Sequence, residues 1–248
     1  MTYLGLALGG IIGAVLGSTS SAMAYRLPLS LPLFNDRSRC PKCDRQLRWY
    51  ENVPVVSFVL QSGRCRGCGE SIGLRYLIAE MLLASYMIML VVRHGLGWSV
   101  AVDGYVGFIA LIATQTDLAV RRIPNRLTAA GGIGVGVLLA LEAIVTDRFA
   151  IVVGGLIAAL IVGGALYLVA VVSRGGFGLG DVKLAMVLSA PLATYGATAV
   201  VNFLVMSFFA GSVVGIMLMV RHRATRKTAL AFGPFLALGY AVITLILR

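Results

Sequence analysis

The feature that most constrains this chain is a series of long apolar segments separated by short polar or basic ones. About eight such runs recur along the 248 residues, and a helix of about 20 apolar residues crosses the hydrocarbon core of a bilayer. Charged residues make up only 12% of the chain, whereas soluble domains carry about 25%. A water-soluble globular domain is therefore excluded, and the chain is predicted to be an all-α polytopic membrane protein.

The apolar runs predict about eight transmembrane helices. They cover residues 2–25, 76–92, 98–116, 127–146, 149–173, 184–196, 198–220 and 229–247. The sixth run is short for a crossing and contains Pro191. It is retained because, without it, the basic segment 221–227 would fall on the opposite side of the membrane from the other basic segments.

The basic residues predict the orientation of the chain. Only Arg93, Arg148 and Arg248 of the 21 Lys and Arg residues fall outside the segments assigned to the cytosol. Because basic residues accumulate on the cytosolic side of membrane proteins, the amino terminus is predicted outside and residues 26–75 in the cytosol. The first run is then an uncleaved anchor, and the net charge of +11 reflects topology and not nucleic-acid binding.

All four cysteines lie in the predicted cytosolic loop, as two C-x-x-C pairs formed by Cys40 with Cys43 and by Cys65 with Cys68. Two such turns can surround one zinc ion with four thiolates. Disulfides are disfavoured in the reducing cytosol, and a redox centre would need only one pair. Four protein ligands leave no open position on the metal, so zinc is predicted to fold the loop and not to catalyse.

Two carboxylates are predicted at the cytosolic boundary of the membrane. Asp117 ends the third span, and Asp181 follows the glycine-rich run 175–180. Two adjacent carboxylates can share one proton, so that one acts as a base and the other as an acid in peptide hydrolysis. Gly178 and Gly180 would let an extended peptide lie beside Asp181. Equally open on physical grounds is that Asp117 is solvated at the interface and that Asp181 caps a helix.

Three further acidic residues, Glu80, Asp103 and Glu142, lie within predicted spans. Glu80 has Arg75 close by in sequence, so a structural ion pair or an interfacial position competes with a role in a site. Asp103 and Glu142 lie nearer the outer face. Both are expected to form hydrogen bonds between helices or to be solvated at the interface.

Taken together, the motifs resemble the type IV prepilin peptidase family, intramembrane aspartic proteases of the G-x-G-D class that often also methylate the new amino terminus. The resemblance is carried by residues 39–43 (RCPKC), 47–57 (LRWYENVPVVS), 65–68 (CRGC), 75–76 with Glu80, 116–117 with 123–125, 178–184 (GLGDVKL) and 231–235 (AFGPF). Their order and spacing agree with the family over nearly the whole chain.

This resemblance implies that Asp117 and Asp181 cleave prepilins or pseudopilins after a glycine that ends a short basic leader, at the cytosolic face of the bacterial inner membrane. It also implies methyl transfer from S-adenosylmethionine, with Glu51, Asn52 and Glu80 binding the substrate amine or the cofactor. The implied partners are these membrane-spanning substrates and membrane lipid, and no nucleic acid. A homodimer, or a place in type IV pilus or type II secretion machinery, is left open.

The expected organisation has three parts. Residues 1–25 form the first transmembrane helix, residues 26–75 form the four-cysteine zinc loop and methyltransferase region, and residues 76–248 form the transmembrane aspartic peptidase core. Two other functions stay open. One is a proton- or cation-coupled transporter that uses Asp117 and Asp181 beneath a zinc-stabilised cytosolic cap. The other is a non-catalytic scaffold of a pilus or secretion machine.

Overall fold

A computed structural model of the protein describes residues 3–33, 38–40, 42–173, 177–221 and 230–247. Within these ranges the chain forms α-helices, two short 3-10 helices and no β-strand. The α-helices are α1 (Tyr3–Arg26), α2 (Val56–Leu60), α3 (Leu74–His94), α4 (Trp98–Val120), α5 (Asn125–Thr146), α6 (Ala150–Val172), α7 (Leu179–Leu192), α8 (Ala197–Val220) and α9 (Gly233–Ile246). Six of them, α1, α3, α4, α5, α6 and α8, are long and apolar enough to cross a membrane. The prediction of an all-α multi-pass membrane protein is therefore confirmed.

Each of the eight predicted spans coincides with a helix, but α7 and α9 have only 14 residues each. Such a helix is about 21 Å long, which is shorter than the hydrocarbon core. Helix α7 begins at Leu179, before the predicted start of the span at residue 184, and the amides of Asp181 and Val182 in its first turn donate to the carbonyl of Gly178. Pro191 lies at its end, where a 3-10 helix (Ala193–Tyr195) follows. Most of α7 is buried, so it is shielded by the longer helices around it.

Helices α1 and α3 pack closely through small residues. Gly9, Gly13 and Gly17 of α1 are buried, and a Cβ atom added to Gly13 would lie 2.5 Å from the carbonyl oxygen of Leu83 on α3. The large apolar side chains of α1, such as Ile11, are exposed instead. Small residues inside and large ones outside are typical of helices that associate in lipid, where close backbone approach drives packing.

Helix α4 lies at the centre of the bundle and carries two buried carboxylates, Asp103 near its start and Asp117 near its end. Their positions differ by 14 residues, which is about 21 Å along the axis. Asp103 accepts hydrogen bonds from the hydroxyls of Tyr195 and Tyr240. It therefore connects α4 to α9 and to the segment before α8, which is the interhelical bonding that the sequence favoured.

Some predicted features lie outside the described residues. They are Pro41 in the first cysteine turn, Gly175 and Gly176 in the glycine-rich run, and residues 222–227 of the last basic segment.

Candidate active site and metal centre

Asp117 and Asp181 come from different helices whose ends meet. Asp117 lies in the last turn of α4, and Asp181 lies in the first turn of α7. The charge of Asp117 acts on the carboxyl group of Asp181, so the two are electrostatic neighbours. Within the described residues, Oδ1 of Asp181 is buried and has no hydrogen-bond partner. A buried acceptor without a donor is costly, and such groups are often found where a ligand, a water or a shared proton belongs.

The start of α9 completes the surroundings of Asp117. The backbone amide of Gly233, the first residue of α9, donates a hydrogen bond of 2.8 Å to Oδ2 of Asp117. A Cβ atom on Gly233 would lie 3.1 Å from that oxygen, so only glycine fits there without displacing the carboxylate. Sequence reasoning gave Gly233 no role. The available signal was its position before Pro234, since proline in the first turn commonly marks a helix start.

The loop before α5 and the first turn of α7 form one unit. Lys183 on α7 donates a hydrogen bond of 2.8 Å from Nζ to the side-chain oxygen of Asn125. Gly180 packs against Ile123, because a Cβ atom on Gly180 would lie 3.2 Å from Cβ of Ile123. These contacts explain how motifs about 55 residues apart hold Asp181 in place beside the end of α4.

An aromatic cluster lies next to this site. It is formed by Phe177, Phe208, Phe232 and Phe235, whose neighbouring ring centroids lie 5.0 to 6.0 Å apart. Phe232 directly precedes Gly233, so the cluster covers the start of α9 with apolar surface. Rings at such distances pack favourably and exclude water. The sequence did not reveal this cluster because its members lie in three separate segments.

The four cysteines form a candidate metal centre. The Sγ atoms of Cys40, Cys43, Cys65 and Cys68 all lie within 4.8 Å of one another, and those of Cys40 and Cys68 are 3.8 Å apart. Four sulfurs at 2.3 Å from a tetrahedral zinc ion would be about 3.8 Å from one another. The donor set therefore fits a zinc ion, as the spacing of the cysteines predicted.

The two cysteine turns are built alike. In each, the amide of the first cysteine donates to the carbonyl five residues later, and its carbonyl accepts from the amide four residues later. Hydrogen bonds from the backbone of Cys68 and Gly67 lower the pKa of Cys65 to about 6. This favours the thiolate form, which is the form that binds zinc.

Glu51 is held by protein groups on both of its oxygens. Arg45 Nη2 and the amide of Arg48 each donate a hydrogen bond of 2.8 Å to it, and these bonds lower the pKa of Glu51. Glu51 lies in a 3-10 helix (Trp49–Asn52) and is buried. It therefore ties this short helix to the first cysteine turn, while the neighbouring Asn52 is exposed.

Glu80 is also engaged by the backbone. It is buried on α3, and its Oε2 accepts a hydrogen bond of 2.7 Å from the amide of Val55. Among the described residues it forms no ion pair with Arg75, whose guanidinium lies over the ring of Tyr76. Through this hydrogen bond, Glu80 connects the segment before α2 to a membrane-spanning helix.

Comparison with known proteins gives two family matches. Residues 11–94 match the family described as Bacterial Peptidase A24 N-terminal domain. Residues 105–220 match the Type IV leader peptidase family. The first range contains the four cysteines with Glu51 and Glu80, and the second contains Asp117 and Asp181.

Three similar proteins are each named prepilin leader peptidase/N-methyltransferase. The one from Bacillus subtilis (strain 168) is 32% identical over 233 residues, covering 92% of this chain and 89% of the relative. The one from Burkholderia pseudomallei (strain 1026b) is 31% identical and covers 97% of this chain and 85% of the relative. The one from Myxococcus xanthus (strain DK1622) is 30% identical and covers 88% and 64%.

No solved structure matches the chain significantly. The family matches cover both halves of the chain, and the relatives cover most of its length. The resemblance seen in the motifs is thereby confirmed: this chain belongs to the type IV leader peptidase family.

Proposed function

We propose that this protein removes the leader peptide from prepilins or pseudopilins, with Asp117 and Asp181 as its catalytic pair, and then methylates the new amino terminus. The substrate class and the second activity come from the names of its relatives. The observation that supports the catalytic pair is the neighbouring position of two carboxylates, one of which keeps a buried oxygen without a partner. Neither the described residues nor the relatives favour the transporter.

The surroundings of the two carboxylates suggest different roles. The amide of Gly233 donates a hydrogen bond to Asp117, which stabilises a negative charge on that carboxylate. The Oδ1 atom of Asp181 is buried without a donor in the described part of the chain, which favours a proton on that residue. Asp117 therefore acts as the general base and Asp181 as the general acid.

The reaction then proceeds through a tetrahedral intermediate, which forms when water adds to the carbonyl carbon of the peptide bond. Asp117 takes a proton from water as the water oxygen attacks the carbonyl carbon, and Asp181 gives its proton to the carbonyl oxygen. When the carbon–nitrogen bond breaks, Asp117 gives its proton to the leaving amine and Asp181 recovers one from a hydroxyl of the intermediate. Both residues return to their starting states.

Gly178 and Gly180 have different roles in this proposal. Gly178 lies directly against the Asp181 carboxylate, since a Cβ atom there would lie 2.7 Å from Oδ2. It is the better placed of the two to let a substrate backbone approach. Gly180, which packs on Ile123, holds α7 in position.

Methyl transfer is proposed for the region of residues 26–75, with residues 76–248 as the peptidase core and residues 1–25 as an anchor. S-adenosylmethionine would supply the methyl group. Both oxygens of Glu51 are already bonded to protein, so Glu51 would position the segment and not touch the cofactor. Asn52 is exposed and free to bind the amine or the cofactor. The four cysteines would hold zinc, which folds the segment.

We further propose that the aspartate pair and the zinc segment face the cytosol of the bacterial inner membrane. Arg121, Arg122 and Lys183 lie at the same helix ends as the aspartates, as the positive-inside rule requires of a cytosolic surface. Membrane-spanning prepilins could reach the pair from the lipid with their basic leaders in the cytosol. This proposal leaves open whether the protein forms a homodimer or associates with pilus or secretion machinery.

Cleavage of a prepilin in reconstituted membranes tests the catalytic pair. Asp117→Asn and Asp181→Asn should each abolish leader removal and leave helix content and zinc content unchanged. Asp147→Asn is the matched control, because this aspartate is exposed at the far end of α5. If both site variants still cleave, the aspartic mechanism is wrong. If the wild-type protein itself does not cleave, the non-catalytic scaffold becomes the better explanation.

The mass of the cleaved amino terminus tests methyl transfer in the same assay. With S-adenosylmethionine added, the wild-type product should gain the mass of one methyl group. Asn52→Ala should lose that gain and keep cleavage. Unchanged methylation in this variant would remove Asn52 from the proposal.

A further inference from the structure

Helix α2 presents an apolar face to the outside of the zinc-bearing segment. Val56, Val59 and Leu60 are 52%, 65% and 70% exposed. Residues spaced by three and four positions lie on the same side of a helix, so these three form one continuous surface, here called the α2 face. The aromatic residue of the same helix, Phe58, turns inward and packs on Gly63.

Such a surface is unexpected in a loop surrounded by water. Moving three adjacent aliphatic side chains out of water is favourable, because it removes their apolar surface from contact with water. The rest of the segment is polar and rich in arginine, including the exposed Arg48, Arg64 and Arg66. An apolar helical face with basic residues beside it is the pattern of a segment that lies in the membrane interface.

A partly buried hydrogen bond sets the level of α2 along α3. Val55, directly before α2, donates its amide to Glu80, the seventh residue of α3. Glu80 lies about 9 Å along the axis from the start of that helix. Because helical side chains point back toward the amino terminus, the bond lies alongside the first two turns of α3.

Val55 adopts a backbone conformation that β-branched residues seldom take, with φ of +62°. A conformation of this kind persists only where the surrounding structure imposes it. The bond to Glu80 therefore imposes both the turn before α2 and the depth at which α2 lies.

The first two turns of α3 also carry exposed apolar side chains at this level. Leu74 and Ile78 are exposed, on a helix long and apolar enough to span the membrane. The bond from Val55 to Glu80 therefore holds α2 beside a part of α3 whose exposed side is apolar. Trp49, which is also largely exposed in the segment before α2, belongs to the residue type that concentrates at membrane interfaces.

We propose that the α2 face inserts into the lipid interface and holds the zinc-bearing segment, residues 38–73, flat on the membrane surface. The partner is the boundary between headgroups and acyl chains, with anionic headgroups beside the arginines. This inference does not depend on the proposed peptidase activity. It would keep the segment next to the membrane-embedded aspartate pair without any further protein contact.

Tryptophan fluorescence in vesicles tests the insertion. The chain contains two tryptophans, so Trp49→Phe and Trp98→Phe together give a background into which Val59→Trp or Gln46→Trp is introduced. Gln46 is the matched control, because it is exposed, follows the first cysteine turn and lies outside α2. The vesicles contain phosphatidylcholine and phosphatidylglycerol, with lipid brominated either near the headgroup or near the end of the acyl chain.

The Val59→Trp probe should be quenched at least about twofold more than the Gln46→Trp probe by lipid brominated near the headgroup, and less by the deeper bromines. Unchanged zinc content shows that each variant is folded, and Val56→Trp provides a second probe of the same face. Equal quenching of both probes overturns the proposal. A Val59→Trp probe that is shielded from aqueous acrylamide but not quenched by brominated lipid also overturns it, because a protein partner would then cover the face.

Discussion

Helix α4 carries one buried carboxylate near each end, and the two differ in what surrounds them. Asp103 is 1% exposed and accepts hydrogen bonds from two tyrosine hydroxyls, those of Tyr195 and Tyr240. Asp117 is 5% exposed and accepts from the amide of Gly233, and it faces Asp181, which has an unpartnered oxygen. Burial alone therefore does not distinguish the two ends of α4, but hydrogen bonding does.

The difference teaches how to separate structural from reactive carboxylates in a membrane bundle. The tyrosines around Asp103 come from α9 and from the 3-10 helix before α8, so they close that end of the bundle around the carboxylate. A buried polar network in which every group has a hydrogen-bond partner makes a structure rigid. An acceptor without a partner beside a second carboxylate is instead typical of a functional site. We therefore interpret the end with Asp103 as a structural clamp and propose the end with Asp117 as the reactive site.

The largest expected effect is a difference in protein stability between substitutions at the two ends of α4. Asp103→Ala leaves the buried hydroxyl of Tyr240 and the partly buried hydroxyl of Tyr195 without this acceptor, which should cost about 2 to 4 kcal/mol of unfolding free energy. Asp117→Ala should cost clearly less, because it leaves one backbone amide beside a site that is already only partly satisfied. Unfolding in detergent micelles, followed by circular dichroism, measures both values. Equal losses would remove the distinction between clamp and site.

A smaller effect tests which of Asp117 and Asp181 is the general base and which is the general acid. Gly233→Ala places a Cβ atom 3.1 Å from Oδ2 of Asp117, so it should displace the carboxylate slightly and reduce cleavage about tenfold. A weaker bond from the amide stabilises the charged carboxylate less. The general base then takes up its proton at a higher pH, so the acidic limb of the pH–rate profile should move to higher pH.

The control for this variant is Gly164→Ala on α6, where an added Cβ atom meets open space. It should leave both limbs of the profile in place. A shift of the alkaline limb in Gly233→Ala, with the acidic limb unchanged, would mean that Asp117 is the acid and Asp181 the base.

The smallest expected effect tests whether the clamp acts through its individual hydrogen bonds. Tyr195→Phe removes one of the two donors to Asp103 and keeps the ring, so it should lower stability by about 1 kcal/mol. Tyr167→Phe on α6 is a control, since this tyrosine is exposed to the outside of the bundle. Cleavage rates should be unchanged in both variants. A loss of activity in Tyr195→Phe without loss of stability would show that the two ends of α4 communicate.

Much of the fold followed from local patterns. The apolar runs located eight of the nine α-helices in the described residues, and six of these eight are long and apolar enough to cross a bilayer on their own. The cysteine spacing likewise predicted a set of four thiols that the structure brings within 4.8 Å. Helix α7 begins at Leu179, before the predicted apolar run, because that run was bounded by hydropathy and so left out Asp181 and Lys183.

The partners of the buried groups could not be obtained in this way. Asp117 and Gly233 are 116 positions apart, and Asp103 and Tyr240 are 137 apart. The sequence suggested ligands that Glu51 and Glu80 could bind. The structure shows that protein groups already donate hydrogen bonds to both carboxylates. A pattern in one segment contains no information about which donor from a distant helix will face it.

By itself, the amino-acid sequence determined that the chain spans a membrane, that four cysteines share one site and that Asp117 and Asp181 are the residues to examine. These properties depend on hydrophobicity and short-range spacing, which act within one segment. The tertiary structure alone decided that α7 is shielded in the interior, that Gly233 contacts Asp117 and that Asp103 is closed off by two tyrosines. Those outcomes depend on how helices pack, because burial and hydrogen-bond satisfaction are properties of the whole bundle and not of any one helix.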